Sequence, residues 1–301
     1  MSKPVAELIV EIVPRDRYRV ASDLVALTKP RVLLMVLATT LVGYFVALEA
    51  PADYLRVCHL LFGTLLAAGG TLALNQYVER DVDARMERTK GRPLPAGRLQ
   101  PLEALLFASA LTGLGVAYLA VSVGVPAAVV TLTTTILYIG AYTPLKTRTA
   151  LCMLVGAVPG ALPPVTGWVA ARGDLGLGAA VLFGILFLWQ LPHTLAIARL
   201  YRDDYARAGV RVLPVVDRRG TMSERQIVST TLGLLAVSLL PTVIGISNIA
   251  YFVTACALGL GLLGFGLAHA AAPTPASARR VLMASVLYLP LLFAVLALDR
   301  P

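Results

Sequence analysis

Nine runs of apolar residues divide this 301-residue chain, and they leave few folds open to it. They fall at roughly 31–49, 57–78, 102–121, 124–141, 150–171, 178–199, 227–245, 248–268 and 281–298. Each approaches the roughly 20 residues that a helix needs to cross a hydrocarbon core of about 30 Å. Only 14% of the chain is charged, and its mean hydropathy is +0.77, too apolar for a water-facing surface. Backbone in lipid must satisfy its own hydrogen bonds, so runs of this length are read as helices. The expected fold is an all-α polytopic membrane protein, about nine transmembrane helices in one bundle. The bundle is placed at residues 31–301, after an N-terminal segment of residues 1–30.

Of the 26 lysines and arginines, all but Arg56, Arg172 and Arg300 fall in the N-terminal segment or in loops on its side. This positive-inside bias predicts a cytoplasmic N-terminus, a C-terminus on the opposite side and an odd number of spans. The net charge of +9 is then a record of topology and an attraction for anionic membrane lipid; it requires no nucleic acid. Glu7, Glu11 and Asp16 interrupt the first 20 residues, which lack a cleavable apolar core and so do not read as a signal or transit peptide. Cys58, Cys152 and Cys256 have no CxxC spacing and read as small core residues, outside any metal or disulfide framework.

A polar cluster follows the second run: Asn75, Glu79, Arg80, Asp81, Asp83, Arg85, Glu87, Arg88, Lys90 and Arg92, whose acids topology does not explain. On a helix, Asn75, Glu79 and Asp83 drift only about 80° around the axis and share a face, with Asp81 roughly opposite. Ionisable groups at the edge of the apolar layer are costly and seldom merely structural. An amide oxygen and two carboxylates in line make a hard-oxygen site, of the kind that holds Mg2+ while phosphates supply further ligands. The arginines beyond it suit an anion. A stop-transfer flank would explain these arginines, but it does not call for the aligned acids.

Two further polar groups stand out. Tyr142 and Lys146 close the fourth run, where Lys146 serves as a helix anchor or as a point charge for phosphate. Trp189, Gln190 and His193 lie in the sixth run, followed by Arg199, Tyr201, Arg202, Asp203, Asp204 and Tyr205. If that helix continues past Pro192 to Asp204, His193 and Asp204 are about 20° apart in angle and about 16 Å apart along the axis. Gly156, Gly160 and Gly167 favour close helix approach, and Pro159, Pro163 and Pro164 break the fifth run.

These residues resemble the UbiA superfamily of intramembrane prenyltransferases over nearly the whole chain. The superfamily pattern Asn-x3-Asp-x3-Asp, followed by Arg-Thr and Arg-Pro-Leu, is met by Asn75, Glu79, Asp83, Arg88-Thr89 and Arg92-Pro93-Leu94; its Tyr-x3-Lys element is met by Tyr142 and Lys146. The branch that farnesylates heme is matched by the block from Gly156 to Pro164, by Trp189-Gln190-x-Pro192-His193, and by Asp204-Tyr205 with Gly209 and Leu213-Pro214. Glu79 departs from the usual aspartate, Cys152 from asparagine and Thr194 from an aromatic. The second paired-aspartate motif of the superfamily is incomplete, since Leu200 and Ala208 flank Asp204 at four residues.

The resemblance implies a magnesium-dependent (or manganese-dependent) transferase in a bacterial cytoplasmic membrane, working on the cytoplasmic face. Its implied metal ligands and catalytic residues are Asn75, Glu79, Asp83 and Asp204. Arg31, Arg80, Arg88, Arg92, Tyr142, Lys146, Trp189, His193 and Tyr205 are the implied substrate-binding residues. The implied substrates are farnesyl diphosphate and heme B, the product is heme O, and a downstream heme A synthase is an implied partner. The alternative within the same fold is a UbiA-type prenyltransferase with an aromatic or quinone-precursor acceptor. A transporter is the competing class outside it, but its ion sites would belong near the bilayer midplane, whereas these acids cluster at one mouth.

Overall fold

The computed structural model describes residues 17–49, 51–217 and 221–300. The acids Glu7, Glu11 and Asp16, and with them the reading of the leader, lie outside those residues. The described residues form helices joined by turns, with no strand among them. A short helix α1 (Arg17–Leu27) precedes α2 (Pro30–Ala47), α3 (Tyr54–Asp83) and α4 (Pro101–Ser122). The fourth crossing is composite: α5 (Val125–Ile136), a π-helical turn (Leu137–Tyr142) and α6 (Thr143–Leu145). The fifth is broken into α7 (Cys152–Gly160) and α8 (Pro163–Arg172), with Pro163 and Pro164 opening the second half. Then come α9 (Leu177–Leu200), the short α10 (Arg202–Arg207) and α11 (Leu213–Val216), and three long helices, α12 (Thr221–Val243), α13 (Ile249–Ala271) and α14 (Pro275–Leu298). Among the described residues, nine crossings are long and apolar enough to span a membrane, as the apolar runs predict.

Helix ends are fixed locally. Asp53 caps α3 by accepting from the backbone N–H of Arg56 at 3.0 Å, and Thr274 caps α14 by accepting from Ser277 N–H at 3.1 Å. The bundle packs as α2 on α8, α3 on α4, and α12 on α9 and α13, with α14 against α9 and α13. The closest approach is between α2 and α8: a Cβ on Gly167 would stand 1.9 Å from the Thr40 carbonyl oxygen, and one on Gly43 would stand 2.0 Å from that of Pro164. Small residues permit such contact in lipid, where packing rather than water exclusion drives association. Of the three cysteines expected in the core, only Cys152 is fully buried. Cys58 is exposed and Cys256 half-buried, and all three are free thiols. An apolar residue in a bundle has lipid as an alternative to the core, so hydrophobicity alone does not place it inside.

Two features aim the helices at one end of the bundle. Helix α3 runs on past its apolar stretch to Asp83, carrying Asn75 and Glu79 with it. The π-turn, a rare insertion that recurs at functional sites, sets Tyr138 and Tyr142 side by side with ring centroids 5.2 Å apart.

Candidate active site

The aligned face of α3 is buried: Asn75 is 0% exposed, Glu79 8% and Asp83 1%. Each of its three polar side chains is held by a different cation. Lys29 Nζ donates to Asn75 Oδ1 at 2.9 Å, Lys146 Nζ pairs with Glu79 Oε1 at 2.5 Å, and Arg92 Nη1 pairs with Asp83 Oδ2 at 2.6 Å. Asn75 Nδ2 completes the row by donating to Thr143 Oγ1 at 3.2 Å. Unpaired charges at such depth would be strongly destabilising, so the pairing is what allows the face to exist without a ligand.

Lys29 has the one positive φ (50°) of any non-glycine residue among those described. It precedes Pro30, where the right-handed helical region is disfavoured, and the left-handed turn aims its ammonium at Asn75. Burial, then the neighbouring charges of Arg92 and Lys146, bring its pKa down to about 7. Burial also opposes the Lys146 ammonium, but Tyr142 and the Glu79 carboxylate outweigh it and hold that pKa well above the ordinary lysine value.

Glu79 and Asp83 open into a cavity of about 650 Å³. Five cationic side chains line its mouth (Lys29, Arg31, Arg88, Arg92 and Lys146) against two carboxylates, Glu79 and Asp83. Further in, the walls are aliphatic and aromatic, with Val32, Met35, Val36, Met153, Leu186 and Tyr138. The broken fifth crossing contributes Gly156, Pro159, Gly160 and Pro163, and α9 contributes Trp189, Gln190, His193 and Thr194. Trp189 and His193, one turn apart, stack with centroids 4.8 Å apart and 20° between planes. Gly160 has no room for a Cβ, which would lie 2.0 Å from Gln190 Oε1.

Most of the expected site residues meet here: Arg31, Glu79, Asp83, Arg88, Arg92, Tyr142, Lys146, Trp189, His193 and Tyr205 all line the cavity. Asn75 sits directly behind that lining. Two other expected residues lie off the cavity lining. Arg80 does not reach the cavity: it lies over the Tyr77 ring at 4.7 Å and donates to the Tyr77 carbonyl at 2.9 Å. One residue along a helix is a 100° turn, so Glu79 and Arg80 cannot share a direction.

Asp204 is likewise absent from the lining. Helix α9 does continue past Pro192 but ends at Leu200, and Asp204 belongs to α10. Its Oδ1 accepts from the backbone N–H of Glu87 at 2.9 Å and its Oδ2 from that of Arg88 at 3.3 Å, while Arg207 Nη2 binds Oδ1 at 2.5 Å. Burial works to raise the Asp204 pKa, but those donors prevail and hold it below the usual aspartate value. The carboxylate thus ties the loop after α3 to the loop after α9. Beside the tie, Arg88 lies over the rings of Tyr201 and Tyr205 at 5.4 and 5.8 Å. Among the described residues no cluster of three or more His, Cys, Asp or Glu side chains could hold a metal by itself, and the carboxylates on the cavity lining are those of Glu79 and Asp83. Those hard oxygens, facing a surplus of cationic groups, fit a hard divalent ion that arrives with an anion.

Sequence reasoning passed over Lys29, Tyr138 and Gln190 as site residues. Lys29-Pro30 at the entrance to the first span was the available signal for the lysine; the π-turn that turns Tyr138 inward leaves none.

The model of the UbiA prenyltransferase family matches residues 36–292. The chain is 46% identical over 288 residues to a protoheme IX farnesyltransferase of Solibacter usitatus, covering 93% of this chain and 99% of that protein. It is 42% identical to one of Koribacter versatilis, covering 92% and 93%. Among solved structures, a digeranylgeranylglyceryl phosphate synthase shares the fold at a TM-score of 0.78 and 15% identity, over 93% of this chain and 98% of that one. A UbiA homolog from Archaeoglobus fulgidus, bound to GPP and Mg2+, shares it at 0.64 and 16%, over 91% and 99%.

Proposed function

The chain belongs to the UbiA prenyltransferase family, and from that premise we propose that it transfers the farnesyl group of farnesyl diphosphate to a vinyl group of heme B, with addition of water, giving heme O and diphosphate. The observation that carries this reading is the make-up of the cavity: cationic side chains beside the carboxylates of Glu79 and Asp83, with Asn75 buried on the same helix face, and apolar walls enclosing about 650 Å³, room for a hydrophobic chain. In the reaction the farnesyl C1–O bond breaks and the electron pair leaves on diphosphate. The terminal vinyl carbon bonds to C1, and water adds to the inner vinyl carbon with loss of a proton.

Glu79, Asp83 and Asn75 are the proposed ligands of Mg2+, whose role is to neutralise charge on the diphosphate; Mn2+ suits the same oxygens. Arg31, Arg88, Arg92, Lys29 and Lys146 stand where negative charge develops on the leaving group. Fixed cations of this kind usually supply the largest catalytic contribution. The aliphatic walls and Tyr138 keep bulk water from the allylic carbon. Trp189, Gln190 and His193 border the chamber where the heme edge is received. The positive-inside bias supports a cytoplasmic mouth and a cytoplasmic N-terminus; residence in a bacterial inner membrane and a heme-A-forming consumer of the product are proposed from the likeness to bacterial protoheme IX farnesyltransferases.

The test is a membrane assay with heme B, farnesyl diphosphate and Mg2+, followed by mass analysis of extracted heme. A farnesylated, hydrated heme that disappears with EDTA is the expected result. Unchanged heme from a folded enzyme would overturn the acceptor assignment and turn attention to aromatic acceptors.

A further inference from the structure

Ser285, in the middle of α14, is fully buried, and it touches both stacked rings of α9. Its backbone carbonyl accepts from Trp189 Nε1–H at 2.7 Å. Its hydroxyl lies 2.9 Å from His193 Nδ1 and donates to the Leu282 carbonyl oxygen at 2.7 Å. A hydroxyl has one proton to give. With that proton committed to Leu282, the contact with His193 is a hydrogen bond only if Nδ1 carries the hydrogen and the serine oxygen accepts it. The reverse arrangement would leave two lone-pair oxygens facing each other at 2.7 Å with no proton between them. Nδ1 of His193 therefore carries a hydrogen, and in the neutral ring Nε2 is left with the lone pair. That nitrogen has no protein partner, and it is not among the buried atoms sealed from access, so it opens onto the cavity that His193 lines.

An imidazole whose one nitrogen is pinned by a hydrogen bond to protein, leaving the other free, is the usual arrangement of a metal-binding histidine. The outer partner fixes both tautomer and ring orientation. Among the described residues no cluster of three or more His, Cys, Asp or Glu side chains could hold a bare metal ion, so the metal must come with its own equatorial ligands. We propose that His193 Nε2 is an axial ligand to the iron of the heme acceptor and that Ser285 is the positioning residue that holds it in the ligating tautomer. Trp189, anchored to the same serine and stacked on the imidazole, blocks rotation of the ring. The pairing orients the acceptor so that iron ligation and vinyl placement are set by one rigid contact between α9 and α14. This inference rests on heme being the acceptor.

The experiment is a titration of heme B into the purified protein in lipid nanodiscs without farnesyl diphosphate, read by the Soret band and by electron paramagnetic resonance of the ferric form. Wild-type protein should give a histidine-ligated spectrum that His193→Ala loses. Ser285→Ala should weaken heme affinity by about 10- to 100-fold, the range for outer partners of metal ligands, and Ser285→Thr, which keeps the hydroxyl, should recover most of it. Farnesyl diphosphate affinity should stay at the wild-type value in each variant, which also reports that the bundle is intact. A histidine-type spectrum that survives His193→Ala, or heme affinity unmoved by Ser285→Ala, would overturn the inference while leaving the acceptor assignment standing. Absence of heme binding by the wild-type protein would overturn the acceptor assignment and this inference with it.

Discussion

Asp204 provides the sharpest test of how the mouth is built, because a metal ligand and a loop tie respond differently to Asp204→Asn. The substitution keeps shape and removes charge. In the wild-type protein the two carboxylate oxygens take the N–H groups of Glu87 and Arg88. An amide offers one oxygen and one NH2, so one of those N–H groups must face another donor. A hydrogen bond to a charged group is worth about 1.5–3 kcal/mol. The Arg207 contact adds little, since that side chain is 56% exposed. If the loss falls on the placement of Arg88 and Arg92, and every 1.4 kcal/mol is about tenfold, the KM for farnesyl diphosphate should rise about 10- to 100-fold. At saturating farnesyl diphosphate the half-saturating Mg2+ concentration should not move. The assay is initial rate against farnesyl diphosphate at a series of Mg2+ concentrations. Arg88→Ala should give the same pattern, and the double variant should be less than additive, as expected for residues in one network. The reasoning is refuted if Asp204→Asn raises the Mg2+ requirement and excess metal restores a wild-type KM, for Asp204 would then be a ligand.

Three other outcomes are expected. Asp83→Ala should lower kcat/KM by about 10²–10³-fold or more even at saturating Mg2+, since it removes a proposed metal ligand and frees Arg92; near-normal turnover would remove the metal assignment. Gly167→Ala should destabilise by about 1–3 kcal/mol, because α2 and α8 must separate to admit the methyl. Thermal unfolding in detergent should show this as a lower midpoint, whereas Gly261→Ala, with nothing within 4 Å of the new Cβ, should not lower it. Gly160→Ala should displace Gln190 and raise the KM for heme while leaving that for farnesyl diphosphate unchanged, a split measurable by varying each substrate in turn.

The membrane crossings are legible because most apolar runs are closed by charge or proline, and the helices end there to within a few residues. The second crossing shows why the site was legible too. Hydropathy ends near residue 78, but nothing after it breaks a helix before the turns at Ala84, so Asn75, Glu79 and Asp83 were bound to stay in phase. What escaped depends on contacts remote in sequence. The π-turn over Leu137–Tyr142 carries no local signature; it exists because Thr143 Oγ1 reaches back to the Tyr138 carbonyl at 2.8 Å and meets Asn75. The break at Tyr201, which carries Asp204 off the axis of α9, is likewise set from outside, by the two N–H groups of the other loop. Ser285 looks like any small polar residue in an apolar helix until His193 and Trp189 are seen on it.

The proposed ligand set also explains why so many charges survive at the edge of the apolar layer. The face of α3 is already satisfied by Lys29, Lys146 and Arg92. A divalent cation alone would have to drive those groups from their oxygens and leave them buried without an anion. A diphosphate alone would draw the same cations away and leave Glu79 and Asp83 uncompensated. Either half costs the breaking of buried pairs, each worth about 3–5 kcal/mol when one partner is stranded. Together the two ligands exchange partners: the oxygens of α3 turn to the metal and the cations to phosphate, and no charge is stranded. Metal and diphosphate should therefore bind with positive coupling, each raising the affinity for the other by the same factor, which calorimetry of either ligand with and without its companion would measure. Independent binding of the two would mean that the cations of the mouth do not have to let go of the α3 oxygens when the substrate enters.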